Sequence, residues 1–258
     1  MAHSTGYVFG FAAVVCVVCS VAVASTSIGL RDLQDTNKRR DAQSNILGAL
    51  GLPENGAPLE GEAIDQLWEQ RVRLVVVDRE GKPIEGTGAD KDGDGDVDQD
   101  DVDLARLEVK GTDETPDIVS VYQRNDAGAA GAYAIPLYGM GLWGPISGFL
   151  AIGPDGTEII GATFFAPKET PGLGAEITEL PFKDQWKGKK VATSGGQPKP
   201  VSVVKGSAEL LCPDSLEYCV DGVSGATITS RGVDEMVEEA IASIYAPYLA
   251  RVRQGKVP

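Results

Sequence analysis

The segment Ser147-Gly-Phe-Leu-Ala-Ile-Gly-Pro-Asp-Gly-Thr-Glu-Ile-Ile-Gly-Ala-Thr-Phe-Phe165 sets the fold class. Two apolar runs, residues 147–152 and 158–165, flank Gly153-Pro-Asp-Gly156. Those turn residues between apolar runs predict an antiparallel β-hairpin. Upstream, Ile64, Leu67 and Trp68 recur at helical spacing and lead into Arg73-Leu-Val-Val-Val77, a β-branched run bounded by Asp78-Arg-Glu-Gly81. That pattern predicts a helix feeding a strand. Downstream, Val233, Met236, Val237, Ala240, Ile241 and Ile244 share one face of a long helix starting near Thr229. Asp234, Glu235, Glu238 and Glu239 crowd its early turns and Arg251 and Arg253 come late, as the helix dipole prefers. Together these predict an α+β domain: an antiparallel or mixed sheet with packed helices.

An apolar stretch precedes this domain. Residues 7–24 read YVFGFAAVVCVVCSVAVA without a charge, and as a helix they cover about 27 Å, close to the hydrocarbon thickness of a bilayer. Ala22-Val23-Ala24 before Ser25 also has the form of a signal-peptide cleavage site, but the leading MAHST lacks a basic n-region, which favours a retained transmembrane anchor. Arg31, Lys38, Arg39 and Arg40 follow the span, and the positive-inside rule taken alone would keep them in the cytoplasm. Residues 32–52 are polar with apolar points at Ile46, Leu47, Leu50 and Leu52, which suits a stalk helix ending before Pro53; residues 56–62 read as a linker. The expected organisation is an anchor over 1–30, a stalk helix and linker over 31–62, and a soluble domain over 63–258.

Composition narrows the chemistry. The 258 residues suffice for a sizeable core, and a formal net charge of −15 argues against nucleic acid as a partner. The single histidine, His3, lies ahead of the apolar stretch. Ser-His-Asp and Cys-His catalysis and histidine-ligated zinc or haem therefore need an imidazole lent by a partner. Cys16 and Cys19 fall inside the apolar run and read as small apolar filler. Cys212 and Cys219 lie in the soluble part; in an oxidising compartment a local disulfide is the economical reading, with two free thiols as the alternative.

Residues 90–101 read DKDGDGDVDQDD. With Asp90 at loop position 1, Asp92, Asp94, Asp96 and Asp101 fall at positions 3, 5, 7 and 12, Gly95 at the sharp turn and Val97 at the apolar position 8. Alternate carboxylates that converge on one hard cation need this spacing, so calcium is the expected ligand, against the plainer reading of a solvated acidic loop. The loop resembles that of dockerin modules, which also end in Asp, although a dockerin carries two such loops and only one is found here. A structural role inside an insertion at 86–106 is the better fit.

Residues 221–230 read DGVSGATITS and run into the C-terminal helix. A Ser/Thr/Gly cluster at a helix start can seat a phosphate, and it can equally be a plain N-cap through Thr229 or Ser230. Ser224-Gly-Ala-Thr227 resembles the acceptor motif of the FMN-binding domain shared by the C subunit of the sodium-translocating NADH:quinone reductase and the G subunit of the related Rnf complex. Gly139-Met-Gly-Leu-Trp143, followed by Gly148-Phe149, and Glu169-Thr-Pro-Gly-Leu-Gly174 match the same family in the same order. The resemblance covers the anchor, roughly residues 31–80, and residue 131 onward; the Asp90 loop and the acidic stretch up to Asp126 fall outside it.

The resemblance implies FMN carried as a phosphoester on Thr227, with Thr229 as the fallback hydroxyl, after transfer from FAD by a flavin transferase. Ser224, Gly225 and Ala226 would shape the phosphate approach, and Thr170, Gly172 and Leu173 the flavin wall. Glu169 would orient its loop rather than act as acid or base. Trp143 is a candidate flavin contact, with ordinary core as its plainer reading, and Pro171-Gly172 could be a simple turn. The resemblance further implies a single-pass protein of the bacterial inner membrane with a periplasmic domain, overriding the charge bias after the span. It also implies electrons taken from an iron–sulfur cluster and passed to the flavin of the B subunit, and partners that include the B, D and E subunits. Gly139-Met-Gly-Leu-Trp-Gly144 and the tail around Ala246-Pro-Tyr-Leu249 and Val252-Arg-Gln-Gly255 favour the reductase's C subunit over its Rnf counterpart. A flavin carrier outside any pump and a membrane-anchored, calcium-dependent interaction module are the rival readings.

Overall fold

A computed structural model describes residues 5–54, 59–84, 90–94, 98–108, 114–126 and 129–257. The chain divides into two compact units, Met1–Ala42 and Gln43–Pro258. The first contains α1 (Thr5–Gly29) and the larger part of α2 (Arg31–Ala49). Within α1, the stretch Gly6–Gly29 has a mean hydropathy of 2.5 and is long and apolar enough to cross a membrane, and none of it is buried by the protein. A helix that is apolar on every side suits lipid as its solvent.

The second unit is built on an antiparallel meander. Helix α3 (Glu62–Arg71) feeds β1 (Val72–Asp78), and after α4 (Gln99–Glu108) come β2 (Ile118–Asp126), β3 (Ala129–Met140), β4 (Pro145–Ile152) and β5 (Ile159–Phe165), paired in the order β1-β2-β3-β4-β5. The hairpin expected around Gly153-Pro-Asp-Gly156 is β4–β5, in register Phe149↔Thr163 and Leu150↔Ala162. Short elements follow: α5 (Leu180–Asp184), β6 (Ser202–Val204), α6 (Ala208–Leu211) and β7 (Cys219–Asp221), with β6 and β7 parallel. The chain ends in α7 (Thr227–Glu239), a π-helical segment over Ala240–Ile244, and α8 (Ala246–Arg253). The expected single long helix is thus two: Tyr245 N–H donates to the carbonyl of Ala240, one residue beyond the α pattern, and Pro247 lacks the N–H that would continue it.

Strand alternation divides the core. Tyr133, Ile135, Leu137, Ile146, Leu150 and Ile152 point to the face covered by α7 and α8, whose Val233, Met236, Val237, Ile241, Tyr248 and Leu249 complete the main core. The opposite face carries Ala132, Ala134 and Ala151, and there Ile46, Leu47, Leu50 and Leu52 are buried. Small residues let the end of α2 approach closely; a Cβ on Gly161 would lie 2.3 Å from the Ala49 carbonyl oxygen. Burial contributes roughly 1.5–3 kcal/mol per large aliphatic side chain. Residues 43–52 are therefore part of the domain core, inside the segment whose polarity suggested a stalk.

Helix α4, from the 86–106 insertion, packs on that second face too. Val102 and Ala105 join Val76 and Ile118, Tyr122 Oη donates to Gln99 Oε1 at 2.7 Å, and the Arg106 guanidinium lies 3.0 Å from the centroid of the Tyr138 ring.

One ion cluster fixes the β2–β3 edge where its register shifts at Arg124/Asn125. Asp126 accepts from Arg71 Nη2 at 2.8 Å and Arg124 Nη2 at 2.7 Å, and Arg124 Nη1 donates to the Leu50 carbonyl. Burial pushes the Asp126 carboxyl up, but the two guanidinium groups outweigh it and hold the carboxyl below the usual range. The stability from a depressed carboxylate is present above its unfolded value and is lost as pH falls through the folded one. Asp126→Asn is therefore expected to cost about 1 kcal/mol at neutral pH, the pair being partly solvent-screened. The cost should shrink below about pH 4, and urea melts at the two pH values check both halves.

Candidate functional site

The site forms where β3, the 169–174 loop and the start of α7 meet. Glycines on facing elements allow the approach. A Cβ on Gly232 would lie 2.0 Å from the Met140 carbonyl oxygen, and one on Gly139 would lie 3.0 Å from the Gly232 carbonyl oxygen. After Met140 the chain turns, Gly141 N–H donating to Gly144 O at 2.8 Å. In the 169–174 loop, Leu173 N–H donates to Thr170 O and Gly172 has φ +75°, so Pro171-Gly172 is a tight turn that needs glycine at its third position.

Glu169 joins all three segments. It is 6% exposed; its Oε1 accepts the Trp143 N–H at 2.8 Å and its Oε2 accepts the Thr229 hydroxyl at 2.6 Å. Gly141 and Gly174 leave it room, since a Cβ on either would come within 2.5 Å of a carboxylate oxygen. Glu169 thus positions the loops around α7 and is fully engaged in doing so.

This pairing separates the two candidate hydroxyls. Thr229 is 1% exposed and bonded to Glu169, whereas Thr227 is exposed at the first position of α7. The helix starts two residues earlier than its apolar spacing predicted, and neither Thr229 nor Ser230 caps it. Ser230 Oγ accepts the Val223 N–H at 3.0 Å, Ala226 holds the cap position, and no side chain caps the first turn. Free N–H groups and the positive end of a helix of this length favour an anion there. Ser224 and Gly225 form the preceding turn; Gly225 has φ +79°, and a Cβ on it would lie 3.0 Å from Leu173 Cδ2. Leu173 therefore leans against this turn.

Two different surfaces flank Thr227. Leu142, Trp143, Leu173 and Ile228 are exposed apolar side chains around the joined loops, Trp143 at 64%. Trp143 is not core, and Thr170 and Gly172 are exposed beside Leu173. The other surface is a cleft of about 650 Å³, lined by residues 203–207 and 221–225, Thr227, Ser230, Arg231 and Asp234. The β6–β7 pairing builds it, with Gly222 N–H donating to Val204 O and Cys212 of the intervening segment bonded to Cys219 at the start of β7. Lys205, Ser207 and Arg231 escaped the sequence reading because no spacing pattern links 203–207 to 221–231. An exposed hydroxyl on an uncapped helix start, between an apolar rim and a cleft whose lining includes Lys205 and Arg231, fits a phosphate ester with a large planar group attached.

In the acidic loop, one carboxylate oxygen each from Asp90, Asp92 and Asp94 lies within 4.8 Å of the others. Asp101 is buried, and its carboxylate accepts the N–H groups of Lys91, Asp92 and Asp98, closing the loop rather than joining that trio. Gly95, Asp96 and Val97 lie outside the described residues.

Comparison with known proteins agrees with this geometry. Residues 141–242 match the FMN-binding domain family. The chain is 32% identical to the C subunit of the Na(+)-translocating NADH-quinone reductase of Yersinia pestis, over 94% of this chain and 91% of that protein. It is likewise 32% identical to the corresponding protein of Vibrio alginolyticus, over 93% and 92%. The crystal structure of the Parabacteroides distasonis counterpart superposes with a TM-score of 0.66 at 30% identity, covering 86% of this chain and 96% of that one. With its three motifs meeting at one helix start, and with relatives of this kind matching along nearly its whole length, the chain belongs to the C-subunit family of the Na(+)-translocating NADH-quinone reductase.

Proposed function

We propose that the chain carries FMN covalently on Thr227 and serves as an electron-carrying subunit of a sodium-translocating NADH:quinone reductase. The observation that carries this reading is the exposed Thr227 hydroxyl at an uncapped helix start, with Thr229 buried and committed to Glu169. Attachment forms a bond from Thr227 Oγ to the FMN phosphorus of FAD. The bond between the two phosphates breaks, AMP leaves, and the hydroxyl proton passes to a base of the flavin transferase. Ser224, Gly225 and Ala226 give the phosphate close approach to the first turn, and Trp143, Thr170, Gly172 and Leu173 supply the surface for the ring system, held in place by Glu169. Once bound, the isoalloxazine supplies one-electron redox chemistry that none of the side chains at the site can perform.

By family resemblance, electrons arrive from an iron–sulfur cluster and leave to the flavin of the B subunit, with the D and E subunits as further neighbours. Residues 1–30 anchor the chain in the bacterial inner membrane and place residues 63–258 in the periplasm, where the Cys212–Cys219 bond is chemically at home. The direct test is a denaturing gel of protein made with and without its flavin transferase. A flavin-fluorescent band only with the transferase is the expected result; a colourless band in both would count against covalent attachment.

We further propose that the insertion binds calcium through Asp90, Asp92 and Asp94, with Asp96 completing the set and Asp101 closing the loop. The Asp94 N–H favours the charged form of Asp92, yet some loss of hydration and the charges of Asp94, Asp101 and Asp90 together raise its carboxyl above the usual value. A divalent cation relieves that repulsion. Saturating calcium added to chelator-treated protein is expected to raise Tm by about 5 °C, and Asp92→Asn/Asp94→Asn to abolish the rise. An unchanged Tm in the wild type would remove calcium from the account.

A further inference from the structure

The cleft beside Thr227 holds two acids and two bases, and the structure treats them unequally. Asp221 Oδ1 accepts the Ala208 N–H at 2.6 Å, and Asp234 Oδ1 accepts the Val203 N–H at 2.7 Å. One oxygen of each carboxylate is held by a backbone N–H, which ties α6 to β7 and β6 to α7 and fixes where each acid sits. Lys205 has no ion-pair partner among the described residues, and Arg231 has only Glu235 at 4.0 Å, with both side chains about two-thirds exposed. An ion pair that long and that exposed holds its partner weakly. Thr227 is itself part of the wall these residues line, so a negative charge placed on its oxygen faces two available cations and the open end of α7.

We infer that Lys205 and Arg231 form a cationic subsite for the phosphodiester joining flavin to Thr227, fixing the ribityl arm on the cleft side so that the ring falls on the apolar side. This rests on the attachment reading above and adds to it what that reading lacks, a counter-charge for the one permanent negative charge the ester carries. Neither residue bonds to the core, so both can be changed without unfolding the domain.

The full chain is coexpressed with the flavin transferase as wild type, as Lys205→Gln/Arg231→Gln, and as the charge-keeping Lys205→Arg/Arg231→Lys. Loaded protein is examined by 31P NMR and by the anisotropy of the attached flavin. The Gln pair is expected to move the 31P signal toward that of a solvent-exposed phosphodiester and to lower the anisotropy toward that of the denatured loaded chain, while the charge-keeping pair stays near wild type. Identical signal and anisotropy in all three would overturn the subsite. So would slower loading of the Gln pair with an unchanged 31P signal once loaded, which places the cations in docking of the transferase. A wild type that acquires no flavin mass is a different failure, that of the attachment reading itself.

Discussion

Thr227→Ala is expected to abolish covalent flavin completely while leaving domain stability within about 0.5 kcal/mol of wild type. The two halves of the expectation have separate causes. The Thr227 hydroxyl is exposed and has no hydrogen-bond partner among the described residues, so its removal costs the fold little, and alanine is the better helix former. The same hydroxyl supplies the oxygen of the ester, and the neighbouring Thr229 cannot replace it without leaving Glu169 and turning out of the core. Urea denaturation with in-gel fluorescence separates the halves. Flavin retained by a well-folded Thr227→Ala chain would move the acceptor elsewhere.

The second large effect is that of Glu169. Glu169→Ala leaves two donors, the Trp143 N–H and the Thr229 hydroxyl, without their acceptor. Each buried polar group deprived of a partner costs about 1–3 kcal/mol, so a loss of roughly 2–4 kcal/mol is expected, read as a lower urea midpoint at an unchanged m value. The loading of Thr227 should fall along with stability, because the same carboxylate sets the position of the 141–144 turn and the 169–174 loop against α7. Glu169→Gln keeps one acceptor oxygen, and its amide can donate to Thr229 Oγ1, so it should lose less than half as much. If alanine and glutamine behave alike and both lie within about 0.5 kcal/mol of wild type, the bridge does not hold the site together.

What was legible in the sequence followed local rules. Gly153-Pro-Asp-Gly156 between apolar runs marked the β4–β5 hairpin, and the β-branched run at 73–77 marked β1, because turn chemistry and side-chain alternation act over a few residues. The strands β2 and β3 went unread, and β3 shows why: Ala129-Ala-Gly-Ala-Tyr-Ala134 lacks the β-branched residues that advertise a strand. Ala132 and Ala134 serve the packing of residues 43–52, a contact with a distant part of the chain. The pairing of Glu169 with Thr229 spans 60 residues. The motif put Thr227 first with Thr229 as the fallback hydroxyl; the fold separates them further by burying Thr229 against Glu169. Lys205 and Arg231 belong to no motif, and only the parallel β6–β7 pairing brings their segments to one cleft.

The central claim is tested most directly by mapping the flavin to a residue. Trypsin cuts after Lys205 and Arg231, releasing residues 206–231, which contain both Thr227 and Thr229. Fragmentation of this peptide from transferase-coexpressed protein, with the disulfide reduced, is expected to place the whole FMN phosphate increment on Thr227 and none on Thr229. An unmodified peptide, or an increment on Thr229, would contradict the account.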